Sequence, residues 1–399
     1  MKIKKINLNN HPFFGKMEFD FTGPEDKALD TIVVAGINGS GKTTLLEAIF
    51  QILTNEDKNF PMRYKVAIDL SHIPDIDKDK YIYSFKHKPG LVRADHWKPF
   101  NFFKDIDIKF RPKVIYVPTE INFDGLKTKS ISFTGEYRFK NIVDRNTIDD
   151  VPSFIASFIN GEVFKNPDLP AKKAIDKVCG EINNLFDIIE IDAKITGLDP
   201  EEKLPIFQNS AGKSFDINHL SSGEKQVFVR ALALKMLNAN NSIILIDEPE
   251  ISMHPAWQQR IMRVYEKIGQ NNQVIAATHS PHVVSSVKKE SVKLLKRKNG
   301  KIEMIGFKDI NGSYGLPVGI VLQELMEVDT IRDPEVAREI RELWDMLHKE
   351  QFEEKNFKER YDKLEKLLGS EDEDLLLMRI EIAKLKAQKD KGNAESRKS

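Results

Sequence analysis

Residues 31–53, TIVVAGINGSGKTTLLEAIFQIL, restrict this chain to few folds. Ile32–Val34 with Ala35 is a short apolar, β-branched run. Gly36–Thr43 (GINGSGKT) is a glycine-rich loop, and Leu45, Leu46, Ile49, Phe50 and Leu53 then recur at helical spacing. Strand, loop and helix in that order form a phosphate-binding loop. The glycines let the backbone turn tightly and aim several N–H groups at one point, and the following helix adds the positive end of its dipole. The expected nucleotide contacts are Gly36, Ile37, Asn38, Gly39, Ser40, Gly41, Lys42, Thr43 and Thr44. Lys42 is placed to reach the β- and γ-phosphates, and Thr43 to hold Mg2+ through its hydroxyl. The cofactors expected are therefore ATP and Mg2+.

A phosphate-binding loop needs an acid from a second strand. SIILIDEPE, Ser242–Glu250, supplies one. Ile243–Ile246 is a continuous apolar run, as in a parallel strand buried on both faces. Asp247 ends it on the side where open α/β sheets bind ligands, as a Mg2+ partner. Glu248 follows, placed to orient and polarise an attacking water. A third run, QVIAATHSP (Gln273–Pro281), puts His279 at another strand end, close to Glu248 and suited to sensing a γ-phosphate. The catalytic set read from the sequence is Glu248, His279 and Lys42.

HLSSGEKQ, residues 219–226, raises a different question, because nothing in it is a catalyst. Ser221, Ser222, Gly223 and Glu224 fit a capping box, and Glu224–Leu237 continues as a helix apolar almost all round. A fixed helix start with exposed serine hydroxyls is a second anion-binding element, or simply a well-capped helix.

Taken in order, the P-loop, LSSGE, ILIDE and the strand-end histidine resemble the ABC-type ATPases, with LSSGEKQ in place of the more usual LSGGQ. The resemblance covers 1–60 and 205–310. It implies an α/β P-loop ABC-type head with a mainly parallel sheet. It further implies that Ser221, Ser222, Gly223 and Glu224 serve the nucleotide of a second subunit, Ser221 and Gly223 touching its γ-phosphate. The expected assembly is a homodimer, or a higher even-numbered homo-oligomer, with ATP sandwiched between heads. DEPE followed by His254 and Pro255 resembles the non-transporter heads of the OLD and RecF type, with these two residues in the D-loop or His254 merely on a surface loop. One departure stands out. The glutamine that usually links Mg2+ to the helical lobe is missing, Gln51 and Gln208 being misplaced for it, and Glu120 or Asn122 after VIYVP is the substitute to consider.

The interval 61–204 shows no sustained heptad and is read as a compact inserted lobe of helices and strands. VKLLKRKNGKIEMIG, 292–306, is a hairpin about Asn299-Gly300, and its lysines suit either nucleic acid or the protection of a sheet edge. Residues 311–390 form a helical region. Asp333 is a cap with Pro334 after it. Val336, Ile340, Leu343, Trp344 and Leu347 make one stripe, Phe357, Tyr361, Leu364 and Leu368 a second, and Leu375, Ile380, Ile382 and Leu385 a third. Residues 391–399 are expected to be a disordered tail.

No apolar run reaches a membrane span, and MKIKKINLNNHPFF has no apolar h-region. Lys plus Arg equals Asp plus Glu at 61 each, so net charge points to no partner, and a lone cysteine, Cys179, excludes an internal disulfide. The expected location is the cytoplasm, without membrane contact. No Toprim-type acid cluster, HNH spacing or zinc-ligand spacing is present in the sequence. With Tyr314-Gly315 and the small helical region behind the head, the chain resembles the ATPases of Septu antiphage systems, some retron-associated, which implies a separate HNH nuclease as partner. A RecF-like DNA-repair ATPase acting on DNA without a nuclease, and a slow-turnover nucleotide sensor, are the competing readings.

Overall fold

The computed structural model describes residues 1–54, 63–71, 73, 91–93, 103 and 106–396. Most of the aromatic-rich stretch read as part of the inserted lobe, 94–102, lies outside these residues. Two compact units divide at Glu327/Val328.

The strands are β1 (Lys2–His11), β2 (Gly15–Asp20), β3 (Thr31–Ala35), β4 (Arg63–Asp69), β5 (Leu91–Arg93), β6 (Val114–Val117) and β7 (Lys140–Ile142). They continue as β8 (Lys194–Leu198), β9 (Pro205–Gln208), β10 (Ser214–Asp216), β11 (Ile243–Asp247), β12 (Gln273–Thr278), β13 (Val292–Lys298) and β14 (Lys301–Ile305). Seven form the central sheet in the order β14-β13-β3-β12-β11-β6-β7. Every pair in it is parallel except β13–β14. β3, β11 and β12 are buried along their whole length, as their uninterrupted apolar runs require. The register sets Val34 beside Ala277 and Ala277 beside Asp247, so the carboxyl ends of three strands emerge at one edge.

A second, antiparallel sheet runs β2-β1-β4-β5. Gln273 stitches it to the central sheet: its amide accepts from Ile3 N at 2.7 Å and donates to Ile3 O at 2.9 Å and Leu29 O at 2.8 Å. The core between the sheets includes Ile3, Ile6, Phe19, Ile32, Leu46, Ile49, Leu245 and Ile275. Helix α1 (Lys42–Thr54) packs over β6, β11 and β12.

Further helices of the first unit are α2 (Arg145–Asp149), α3 (Val151–Lys165), α4 (Ala171–Phe186), α5 (Ser222–Met236), α6 (Pro255–Gln258), α7 (Ile261–Glu266) and α8 (Pro281–Ser285), with a short helical turn at Val318–Ile320. The interval 61–204 is less self-contained than its sequence suggests. β4 and β5 join β1, β6 and β7 extend the central sheet, and β8 pairs with β9 across the 204/205 boundary. Strands of three to seven residues carry no mark in the sequence of their distant partners. Residues 311–327 belong to the first unit, where the Ser313 hydroxyl donates to Val287 O at 2.6 Å and Gly315 N donates to Ser285 O.

The hairpin β13–β14 turns at Asn299 (φ 51°) and Gly300 (φ 77°), both left-handed as a two-residue turn demands. β14 is the edge of the central sheet.

The second unit holds α9 (Pro334–His348), α10 (Lys355–Leu368) and α11 (Glu373–Ser396). Asp333 caps α9 by accepting from Glu335 N and Val336 N, with Pro334 following. Ile340, Leu343, Leu347, Phe357, Leu364, Leu375 and Met378 form its core. Ile380 departs from the stripe read in the sequence: it is 54% exposed, and Met378 takes the inward place. Leu375, Met378, Ile382 and Leu385 keep one helical face, and Ile380 falls two residues out of phase. Helix α11 continues to Ser396, through part of the segment read as a disordered tail, and 397–399 lie outside the described residues.

Candidate functional site

The loop after β3 is shaped by what a side chain would hit. A Cβ on Gly36 would stand 2.4 Å from Leu295 O and 2.7 Å from the Ser40 hydroxyl. Gly41 has φ +92°, and a Cβ there would meet the Phe13 ring at 2.4 Å. Gly39 is also left-handed, at φ +75°. These positions therefore need glycine, and they leave the backbone bare toward any ligand. The buried Ser40 hydroxyl has no hydrogen-bond partner among the described residues.

Lys42 folds back on its own loop, donating from Nζ to Gly36 O at 2.8 Å and Ile37 O at 3.1 Å. Burial lowers its pKa to about 8, against the opposing pull of Glu248, Asp247 and Glu250. The Thr43 hydroxyl donates to Asp247 at 3.0 Å (Oδ2) and 3.2 Å (Oδ1). One hydroxyl and one carboxylate meeting at a phosphate loop is a hard oxygen pair that suits Mg2+ with its remaining ligands from phosphate and water.

Glu248 takes a left-handed φ of +47° although Pro249 follows, a place where the backbone prefers extended conformations. Its N–H donates to Ala277 O at 2.9 Å, and its Oε1 lies 3.8 Å from His279 Nε2. Both side chains are about a third exposed, at 35% and 36%. Burial, then the charge of Lys42, lowers the His279 pKa below 6.5, while Glu248 and Asp247 pull the other way. The shift favours the neutral imidazole, which can accept at one nitrogen and donate from the other.

Lys42, Thr43, Asp247, Glu248 and His279 therefore meet at one sheet edge. Ser221–Glu224 are placed otherwise: among the described residues no hydrogen bond links them to Gly36–Thr44. Ser221 caps α5 in a reciprocal box, its N–H and hydroxyl donating to Glu224 Oε2 at 2.8 and 2.7 Å. Ser222 is exposed, and Gly223 lies against the loop after β11, where a Cβ would meet Ser252 O at 2.7 Å. His254 is exposed and caps α6, with Nδ1 accepting from Ala256 N. Of the two substitutes for the missing glutamine, Asn122 is tied down: its side-chain oxygen accepts from Asp124 N at 2.8 Å and from Arg145 at 3.4 Å. Glu120 is exposed at the end of β6.

Comparison with known proteins matches residues 32–285 to the family described as "AAA domain, putative AbiEii toxin, Type IV TA system". The chain belongs to this family. It is 23% identical to the Septu protein PtuA of Bacillus thuringiensis, over 88% of this chain and 91% of PtuA. It is 32% identical to the Retron Ec83 probable ATPase of Escherichia coli, over 43% of this chain and only 33% of that protein. It is 25% identical to the Retron Vc95 probable ATPase of Vibrio cholerae, over 76% of this chain and 75% of that protein. The fold is accordingly that of an ABC-type P-loop ATPase related to PtuA.

Two residues of this AAA-family site escaped the sequence reading. Glu250, the second acid of DEPE, is partly buried. Its Oε1 accepts from the Thr278 hydroxyl at 2.6 Å, His279 N at 2.9 Å and Ser280 N at 3.0 Å. It fastens the His279 loop to the loop after β11. Burial raises its pKa, and the hydrogen bonds from Thr278 and His279 offset only part of that rise. Phe13 is the other. At the tip of the β1–β2 hairpin, and 40% exposed, it sits against Gly41. His11 shapes that tip, its Nδ1 accepting from Phe13 N and Phe14 N.

The Lys42 shift makes a prediction. A triphosphate binds the protonated amine better, so affinity is lost as pH rises through about 8. Binding of ATP in EDTA, followed by calorimetry from pH 7 to 9.5, is expected to weaken by up to about tenfold per pH unit on the alkaline side. Lys42→Arg, which keeps its proton, is expected to flatten the curve. A curve unchanged by the substitution would place the titrating group elsewhere.

Proposed function

We propose that this chain hydrolyses ATP as a switch subunit: two copies close head to head around two ATP molecules, and the closed state controls a separate effector. The observation that carries this is the convergence of Lys42, Thr43, Asp247, Glu248 and His279 at the carboxyl ends of β3, β11 and β12. In this reading Gly36–Thr44 hold the phosphates and Lys42 swings from its own carbonyls onto them. Thr43 and Asp247 hold Mg2+, which when bound neutralises charge on the β- and γ-phosphates. Glu248 orients the attacking water and accepts its proton. His279, held by the Glu250-fastened loop, meets the γ-phosphate. Phe13 offers a ring face beside the loop for the base.

The exposed serines at the start of α5 support a role toward a second copy, since among the described residues no hydrogen bond ties them to their own P-loop. ATP then adds contacts across the interface, and hydrolysis removes them. Likeness to PtuA over most of both chains supports a place in antiphage defence, with an HNH nuclease as the controlled partner and the 328–399 unit as its dock. The test is phosphate release by the purified chain with ATP and Mg2+. Turnover that needs the metal is expected, and a chain that neither binds nor hydrolyses ATP would overturn the reading.

A further inference from the structure

Arg230 lies in the middle of α5, in the apolar run VFVRALAL, and is 0% exposed. A guanidinium removed from water costs several kcal/mol unless its donors are satisfied. No carboxylate forms an ion pair with it among the described residues. Its two terminal nitrogens donate instead to main-chain carbonyls of two different loops, while the buried Nε has no hydrogen-bond partner among the described residues. NH2 donates to Pro118 O at 2.9 Å and Thr119 O at 2.7 Å, and NH1 to Glu248 O at 3.3 Å. The first two close β6 immediately before Glu120, and the third closes β11. Burial lowers the Arg230 pKa, and the neighbouring Tyr265 hydroxyl, on a fully buried side chain, and the charges of Asp247 and Glu250 oppose that shift.

The position of the third carbonyl matters. Glu248 is left-handed and precedes a proline, so its conformation must be imposed from outside. Its N–H is held by Ala277 O, and its carbonyl accepts from Ile251 N and from Arg230. The helix that carries Arg230 is the one whose start presents Ser221 and Ser222 to solvent. A planar fork directs donors from separate nitrogens in fixed directions toward two loops, whereas an ammonium offers its three donors from a single point.

We propose that Arg230 is a positioning residue that ties the helix behind Ser221–Gly223 to the Pro118–Thr119 carbonyls and to the backbone of Glu248, so that engagement of that helix start sets the geometry of the water-orienting carboxylate. This deepens the ATPase reading and rests on it. It also gives the missing glutamine a replacement of another kind: the link between helical lobe and catalytic edge runs from the helix inward, through an arginine, rather than outward from the strand.

The test is Arg230→Lys in the full chain, which keeps the charge and loses the fork. Turnover of ATP is expected to fall about tenfold or more while KM for ATP stays within about threefold, because the phosphate contacts are untouched. Turnover above about a third of wild type, or a rise in KM with kcat kept, would overturn the coupling. If the variant does not fold, hydrogen exchange on the wild type decides. ATP with Mg2+ is expected to protect 118–122, 222–230 and 247–251 together with the P-loop, and protection confined to 36–43 would overturn the coupling. Wild-type turnover separates the two failures. Its absence overturns the ATPase reading and the coupling with it, whereas wild-type turnover with an unaffected lysine variant overturns the coupling alone.

Discussion

Replacing Glu248 by Gln is expected to lower ATP turnover about 100-fold or more while ATP still binds. The substitution keeps the size and planar shape of the side chain and removes its capacity to take a proton. Its neighbours stay in place. Lys42, Thr43 and Asp247 approach the phosphates from the P-loop and from the end of β11, and none of their hydrogen bonds involves the Glu248 carboxyl. The His279 contact, 3.8 Å in the wild type, loses a charge and no covalent geometry. Phosphate release and equilibrium ATP binding, measured on the same preparation, separate the two effects. Turnover within about threefold of wild type would remove Glu248 from the water-orienting role.

The second large effect concerns division of labour between copies. Lys42→Ala and Ser222→Glu are each expected to abolish turnover to within about one part in 100, for different reasons. The first removes the charge that meets the β- and γ-phosphates. The second puts a carboxylate on an exposed position where a γ-phosphate of the other copy would arrive. Ser222 is the first residue of α5, where an acid favours the helix dipole, so the fold is expected to survive. Mixing the two inactive proteins is then the informative step. Random pairing leaves half the dimers mixed, each with one intact composite site, so activity returns to about a quarter of wild type. No recovery would mean that the serines act on their own chain's nucleotide, or on none.

The parts of this architecture written locally were legible in the sequence. Ile243–Asp247 and Gln273–Thr278 reveal buried parallel strands because every residue is shielded on both faces. Asn299-Gly300 marks its hairpin because only such residues accept two left-handed dihedrals in succession. Asp333 and Ser221 mark helix starts because their oxygens meet N–H groups two and three residues on. What depends on distant pairing was not legible. Nothing in Arg63–Asp69 says that its partner is β1 rather than a neighbour in its own interval.

The candidate site divides in the same way. Its P-loop and acid pair are a spacing pattern, and the register of β3, β12 and β11 brings them together. Glu250 and Arg230 act on backbone groups far away in sequence, so no spacing rule reaches them. The signal available for Arg230 was a charge inside an otherwise apolar helix, and for Glu250 a second acid two residues past the first. Phe13 was visible as an aromatic pair, HPFF, but only the hairpin geometry sets it against Gly41.

The measurement that bears most directly on the central claim is mass in solution by light scattering, with and without ATP and Mg2+, on the wild type and on Glu248→Gln. Slowed hydrolysis holds the nucleotide in place, so ATP is expected to double the mass of the substituted chain, or to raise it to a higher even multiple. ADP is expected to leave it unchanged. A Glu248→Gln chain that binds ATP and keeps the mass it has without nucleotide would contradict the head-to-head account.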